Sequence, residues 1–446
     1  MPKTQISRRN FLKLGAAAAG AYAVGQFIPP PVAQAARQAD LLDGNGSGYI
    51  CTMCEMCVWR CGVRAKVVEG RVVKLEGNPE HPHSKGRLCA RGQSGLMNTY
   101  DPDRVLTPLI RVGKRGEGKF RQASWDEALE TVAENMLAIK NKYGAEAVVF
   151  SSTHNLSQPL FENLLYGFGS PNYGTQRSLC FNAMIVANTI TYGMEEPARD
   201  YSQLQYLILT GRNLTEAIST SETTDLVDSI ARGAKVVYID PRFTKTASKA
   251  TEWLPVRPGT DLAFHLAMIN VIISEKLYDT SFIDQYTLGF EQLASAVMNY
   301  TPDWAATLTG LEADTIRRIA HEFAAAGKFA LAHNGWRTSN FINSFPTERA
   351  ITILNALMGN WGTTMFPAED ETAGLGSPPQ PPYPRISAQR LDGVPWMYKF
   401  VPLKIGVFQQ LRDSIVEGKP YEAHGWFISR QNPVLSLPDR SKTLEA

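Results

Sequence analysis

Apolar and polar residues change their period several times along this 446-residue chain, and each change predicts an element. The segment RAKVVEGRVVKLEGNPEHP alternates in steps of two around Glu69-Gly70, which predicts two short strands and a tight turn. At Ser124 the period becomes helical. SWDE forms a capping box, with Ser124 able to bond the amide three residues on and Glu127 able to reach back; Leu129, Val132, Ala133, Met136 and Leu137 follow at helical spacing. AEAVVFSS then reads as a strand. A second unit comprises YLILTGRN, a helical stretch to Ala231 and KVVYIDPR; a third comprises KFALAHNGWRTSN with a helix from near Pro346. Strands that alternate with helices predict an α/β fold with parallel sheets and ligands at the strand carboxyl ends.

Between these elements, residues 36–50 read as a linker ending in DGNGSG, and SPPQPPYPR is too proline-rich for an element and reads as a surface connection. GWFISRQNPVLSLPD predicts a strand and a turn close to the last residue. The N-terminus has a different pattern. SRRNFLK precedes an uncharged, alanine-rich apolar stretch and then Ala33-Gln34-Ala35, a small-x-small cleavage pattern, so residues 1–35 read as a twin-arginine export signal. The apolar run is short for a bilayer span. The expected location is therefore periplasmic, with membrane association only through partner subunits.

Composition adds limits. The chain has 45 Lys and Arg against 43 Asp and Glu; without residues 1–35, which hold four basic and no acidic residues, the balance is about −2. No basic block or stripe points to nucleic acid. Two or three domains fit this length, and no repeat of solenoid length is present.

The chemistry lies first in the cysteines. Cys54, Cys57, Cys61 and Cys89 stand in a C-x2-C-x3-C-x27-C frame. Three thiolates in one loop and a fourth returning from further along suit the corners of a [4Fe-4S] cubane. Zinc sites with four cysteines use two C-x2-C pairs rather than a triplet and a single. With Cys51 included, the run also reads as that of two-cluster ferredoxins, but there is no second copy and Gly62, not proline, follows Cys61. Cysteines this close make poor disulfides, and none is expected.

Taken in order, the cysteine frame, GRLCARG, YDPDRVLTPLIRVGKRGEGKF with SWDEAL, SLCFNAM, GRNLTEA, VVYIDPRFTKTA, WLPVRPGTDLA, HNGWRTSN and ISRQNPV resemble the molybdopterin bis(guanine dinucleotide) oxidoreductases, specifically the polysulfide and thiosulfate reductase catalytic subunits. The resemblance implies a β-rich [4Fe-4S] module at 51–105, the first part of an α/β domain II at 106–150, a dinucleotide-binding domain III at 151–327, a return to domain II with a surface connection at 328–420, and the start of a truncated C-terminal region at 421–446. It implies Cys180 as the molybdenum ligand beside the pterin dithiolenes, tungsten being an alternative metal. Taken alone, an isolated cysteine reads as an ordinary buried one. Arg91 matches a basic residue between cluster and pterin. Gly211, Asn213 and Glu216, then Asp240, Pro241 and Arg242, then Gly259 and Asp261, and finally Asn432 match dinucleotide-binding loops. On residues alone, DPR reads equally as a turn and Asp261 as a helix cap. His154 and Arg337 are the polar residues expected over the metal, for proton transfer and for holding an anion.

The activity so implied is two-electron reduction of polysulfide or thiosulfate, with a multi-cluster iron-sulfur subunit and a quinone-linked membrane subunit as partners. Arsenate reduction and formate oxidation are alternatives within the family. Formate dehydrogenases carry a histidine directly after the ligating residue, where this chain has Phe181. A non-catalytic iron-sulfur electron carrier is the alternative from another class.

Overall fold

Val63, Ala65 and Val67 point inward while Lys66 and Val68 are exposed, and this alternation makes residues 62–68 one face of a small core. The computed structural model describes residues 41–42, 46–153, 157–216, 219–335, 338–367 and 382–446. They fall into two compact units, one ending at Arg104 and the other beginning at Val105.

The first unit is a four-stranded antiparallel sheet: β1 (Leu41–Leu42), β2 (Gly48–Met53), β3 (Gly62–Val68) and β4 (Arg71–Gly77), in that order. Glu69 and Gly70 both have positive φ, 50° and 76°, as the two-residue β3–β4 turn requires. β1 and the start of β2 lie within the expected linker 36–50. Pairing of Leu41 with Tyr49 and of Gly48 with Val67 puts these residues in the sheet instead. A one-turn helix, α1 (Ala90–Gln93), follows.

In the second unit a hairpin of β5 (Leu109–Arg111) and β6 (Phe120–Gln122) leads into α2 (Trp125–Tyr143). Ser124 Oγ accepts from Glu127 N–H at 3.1 Å, but the Glu127 carboxylate pairs with Arg121, so only half of the capping box forms. Met136 and Ile139 pack against a core, whereas Leu129, Val132 and Leu137 stay exposed.

β7 (Val148–Ser152), α3 (Gln158–Phe168), β8 (Tyr173–Thr175), α4 (Arg177–Cys180) and α5 (Asn182–Tyr192) come next. A short β9 (Ala198–Arg199) precedes β10 (Tyr206–Thr210), α6 (Thr220–Ala231), β11 (Lys235–Ile239) and β12 (Glu252–Leu254). Then come α7 (Asp261–Ser274), α8 (Ala313–Ala326), β13 (Ala330–Asn334), α9 (Ser344–Leu357), β14 (Met365–Phe366), which pairs with β9, α10 (Phe408–Glu417) and β15 (Gly425–Ser429).

Two parallel sheets result. One has the order β12-β11-β10-β13, with Ile208 on the face packed by α7, α8 and α9 and Leu207 and Leu209 on the other. The other has the order β15-β7-β8.

These pairings do not follow the expected limits at 150/151, 327/328 and 420/421. β7 spans the first of them. β13, expected in a return to domain II, lies beside β10 from Tyr206↔Ala330 to Thr210↔Asn334. β15, expected to open a further region, lies beside β7 from Gly425↔Val148 to Ser429↔Ser152. Ladder hydrogen bonds between segments more than a hundred residues apart decide membership, and no local pattern carries that information. Among the described residues, no helix is long and apolar enough to cross a membrane.

Candidate functional site

Pairing of Met53 with Gly62 pinches the ends of β2 and β3, so residues 54–61 form a loop that carries three cysteines. The bond from Cys54 N–H to the Cys61 carbonyl, 2.9 Å, closes the loop at its base. Cys89 arrives from the other side as the residue before α1, and a Cβ placed on Gly92 would lie 3.3 Å from Cys54 Sγ. Burial raises the Cys54 thiol; an N–H bond from Met56 opposes this, and the charges of Cys57, Cys61 and Cys89 raise it further, which places all four sulfurs in one electrostatic neighbourhood. Burial also raises Cys89, but hydrogen bonds from the Gly92 and Arg91 amides and the Arg91 guanidinium outweigh it, and the net shift is downward. Arg91 thus acts on a cysteine sulfur directly. Cys51 lies apart in β2, opposite Arg64 in β3, and accepts a long contact from Asn78.

No three His, Cys, Asp or Glu side chains among the described residues are drawn together as ligands of a single metal ion would be. Four cysteines outside any disulfide and in one neighbourhood, with N–H groups already turned toward two of them, suit a polynuclear cluster that takes one thiolate per iron.

In the second unit the parallel strands of each sheet deliver their following loops to one edge. At the carboxyl edge of β15-β7-β8 stand Thr153, the segment from Gln176 to Cys180, and Arg430 to Asn432. Cys180 is half-buried and ends α4, which is tied down by Ser178 Oγ to the Thr175 carbonyl at 2.8 Å and by Leu179 in the core. Asn432 precedes a short helix, and its carbonyl accepts from the amides of Leu435 and Ser436 at 3.0 Å. Three buried amide oxygens at this edge, Gln176 Oε1, Asn182 Oδ1 and Gln431 Oε1, have no hydrogen-bond partner among the described residues. Such acceptors cost free energy unless a ligand donates to them. A pterin ring, rich in N–H groups, has the matching chemistry. The sequence reading missed all three; their only signal was proximity to Cys180 and Asn432. His154 and Arg337 lie outside the described residues.

The carboxyl edge of the second sheet carries the other candidates. Gly211, Asn213 and Glu216 follow β10. Asn213 bonds Glu216 at 2.7 Å and Thr246 at 2.7 Å, and the first of these bonds leads the lowering of the Glu216 carboxyl. Asp240 after β11 is buried, and its oxygens accept from the Tyr238 hydroxyl at 2.9 Å and the Arg242 amide at 2.8 Å. It orders the turn through Pro241, while the Arg242 side chain is exposed. Gly259 accepts from Asn343 at 3.1 Å. Asp261 is the first residue of α7, with Thr260 as the cap; burial and the nearby Asp240 charge raise its carboxyl, and no cationic side chain among the described residues pairs with it. A buried carboxylate and a helix start can read a nucleotide's N–H groups and phosphate.

A buried network braces this edge. Glu222 holds Arg212 and accepts from or shares a proton with His333 Nε2 at 2.9 Å; Asn334 bonds Arg199 at 3.0 Å and Glu348 at 2.6 Å. Where β13 ends, a Cβ on Gly335 would lie 2.4 Å from the Thr210 carbonyl oxygen and 2.6 Å from the Gly211 carbonyl. Gly335→Ala is expected to force these ends apart, costing about 1–3 kcal/mol in urea unfolding. Unchanged stability would mean that the ends do not approach so closely.

Comparisons with known proteins follow the same division. The Molybdopterin oxidoreductase family model matches residues 104–446, its Fe4S4 domain matches 49–101, and a twin-arginine translocation signal matches 5–25, which marks the chain for export by that route. The thiosulfate reductase molybdopterin-containing subunit PhsA of Salmonella typhimurium is 38% identical over 99% of this chain and 60% of its own length. The acetylene hydratase of Syntrophotalea acetylenica is 35% identical over 69% of this chain and 43% of its own length. The dimethyl sulfoxide reductase DmsA of Haemophilus influenzae is 31% identical over 80% of this chain and 50% of its own length. Among solved structures, acetylene hydratase from Pelobacter acetylenicus superposes with a TM-score of 0.75 at 27% identity, covering 89% of this chain and 59% of that one. The chain therefore spans between about two fifths and three fifths of these relatives. With the [4Fe-4S] and molybdopterin cofactors that its two parts are built to take, the chain belongs to the molybdopterin oxidoreductase family.

Proposed function

We propose that this chain is the catalytic part of a periplasmic reductase of polysulfide or thiosulfate, working with a molybdenum bis(molybdopterin guanine dinucleotide) and receiving electrons through its [4Fe-4S] cluster. The observation that carries this reading is Cys180 at the carboxyl edge of a parallel sheet, beside three buried amide oxygens without partners among the described residues. Identity of 38% along 99% of the chain with a thiosulfate reductase subunit supports the substrate class.

When bound, the metal supplies the two electrons that break a sulfur–sulfur bond. The chain's residues do the rest. Cys180 offers a soft thiolate to the metal, while Gln176, Asn182 and Gln431 orient the pterin through its N–H groups. Gly211, Asn213 and Glu216, with Asp240 to Arg242, Gly259 and Asp261, border the dinucleotide sites, and Asn432 borders the second of them. Arg337 holds the substrate anion and His154 exchanges a proton with it. Cys54, Cys57, Cys61 and Cys89 hold the cluster, and Arg91 eases passage of the electron onward. A multi-cluster iron-sulfur subunit and a quinone-linked membrane subunit are the partners that such electron delivery requires.

Purified cofactor-loaded protein, assayed with a reduced reporter dye, is expected to reduce polysulfide or thiosulfate in preference to dimethyl sulfoxide, nitrate and arsenate. A preference for any of the others would overturn the substrate assignment. Cys180→Ser is expected to keep its pterins, lose one sulfur ligand in the molybdenum-edge absorption spectrum and lose most of this activity. An unchanged spectrum would make Cys180 a structural cysteine.

A further inference from the structure

We propose that the indole N–H of Trp59 donates a hydrogen bond to a sulfur of the [4Fe-4S] cluster and so sets how readily the cluster accepts an electron. Trp59 lies within the loop 54–61, two residues after Cys57 and two before Cys61. Its Nε1 is shielded from solvent, yet it has no acceptor among the described residues. An unsatisfied buried donor is destabilising, and such groups are rare in native structures.

The ring is held in this position from its other side. It stacks on His83 with centroids 5.5 Å apart and an interplanar angle of 4°. His83 in turn meets His81 edge to face, His81 Nδ1 lies 3.1 Å from Ser84 Oγ, and Ser84 Oγ accepts the Gly62 amide at 3.1 Å. Trp59 is thus clamped to the segment that folds over the base of the cysteine loop. An indole N–H can only donate. The sulfides of a cluster held by the cysteines of this same loop are acceptors of the kind that this donor lacks among the described residues.

A hydrogen bond to a cluster sulfur draws electron density from it, which favours the reduced, more negative state. No bond is made or broken in this role, and the indole keeps its proton. Trp59 is therefore a tuning residue, distinct from the four ligands. The role depends on the cluster alone and stands whatever the substrate is.

The test is Trp59→Phe in the cofactor-loaded protein, which removes the N–H and keeps an aromatic ring for the stack. Iron content is expected to be unchanged, and the equilibrium constant for one-electron reduction is expected to fall about tenfold, a shift of about 59 mV to lower potential in a titration followed by electron paramagnetic resonance. Full iron with an unchanged potential overturns the proposal. Should the variant lose its cluster, wild-type protein labelled with indole-15N tryptophan gives a second measurement. Trp59 is the sole tryptophan before Arg104, so spin-echo spectra of the reduced cluster are expected to show one weakly coupled 15N. No coupled 15N overturns the proposal equally.

Discussion

Cys61→Ala is expected to leave the protein without its cluster, with iron falling from about four per chain to near zero, while Cys51→Ala retains the full complement. Cys61 is 6% exposed and packs with Val63, Leu88 and Cys54 at the base of the loop, which fixes its side chain beside a second cysteine. Cys51 is held in β2 by its pairing with Arg64, outside the loop that carries Cys54, Cys57 and Cys61. Iron analysis and the paramagnetic signal of the reduced cluster check both arms. Loss of the signal in Cys51→Ala together with its retention in Cys61→Ala would refute the ligand assignment.

Glu222→Ala is expected to cost about 3–5 kcal/mol, because it removes a buried carboxylate that faces both Arg212 and His333. Burial by itself raises this carboxyl, but the His333 hydrogen bond and the Arg212 and Arg199 charges overcome that and hold it far below the ordinary carboxylate range. The same burial, with the Arg199 charge, pushes His333 down to about 4 despite the opposing pull of Glu222. Folded His333 is then neutral where the unfolded imidazole, with a pKa near 6.5, already binds a proton. The unfolded state binds more protons between pH 6.5 and about 4, so stability falls as pH drops through that window. Glu222 adds a second loss below the unfolded carboxylate range, as its folded-state charge is neutralised. Urea unfolding at several pH values reads both effects, and His333→Gln should remove the first. A loss under about 1 kcal/mol in Glu222→Ala would show that the network is not held as an ion pair.

The sequence by itself determined the cluster module and the class of the fold. Three of the four cysteines proposed to hold the cluster fall within eight residues, so the frame belongs to one loop and its spacing can be read locally. The β3–β4 turn and the start of α2 were equally legible, because a positive-φ dipeptide and a serine cap act on their immediate neighbours. Half of the capping box failed because Arg121 competes for Glu127, and that competitor lies outside the motif.

Only the tertiary structure decided which strands share a sheet, joining β13 to β10 and β15 to β7 across expected domain limits. It also decided that both oxygens of Asp240 are engaged in ordering its turn, and that Glu222, His333 and Glu348 form a buried network under the loops. Nothing in the local pattern distinguishes a buried, unpaired amide such as Gln176 from a solvated one, or the Trp59 indole from an ordinary core ring. Burial and the absence of an acceptor are properties of the atoms brought around a residue from elsewhere in the chain, and these appear only once the strands have found their partners.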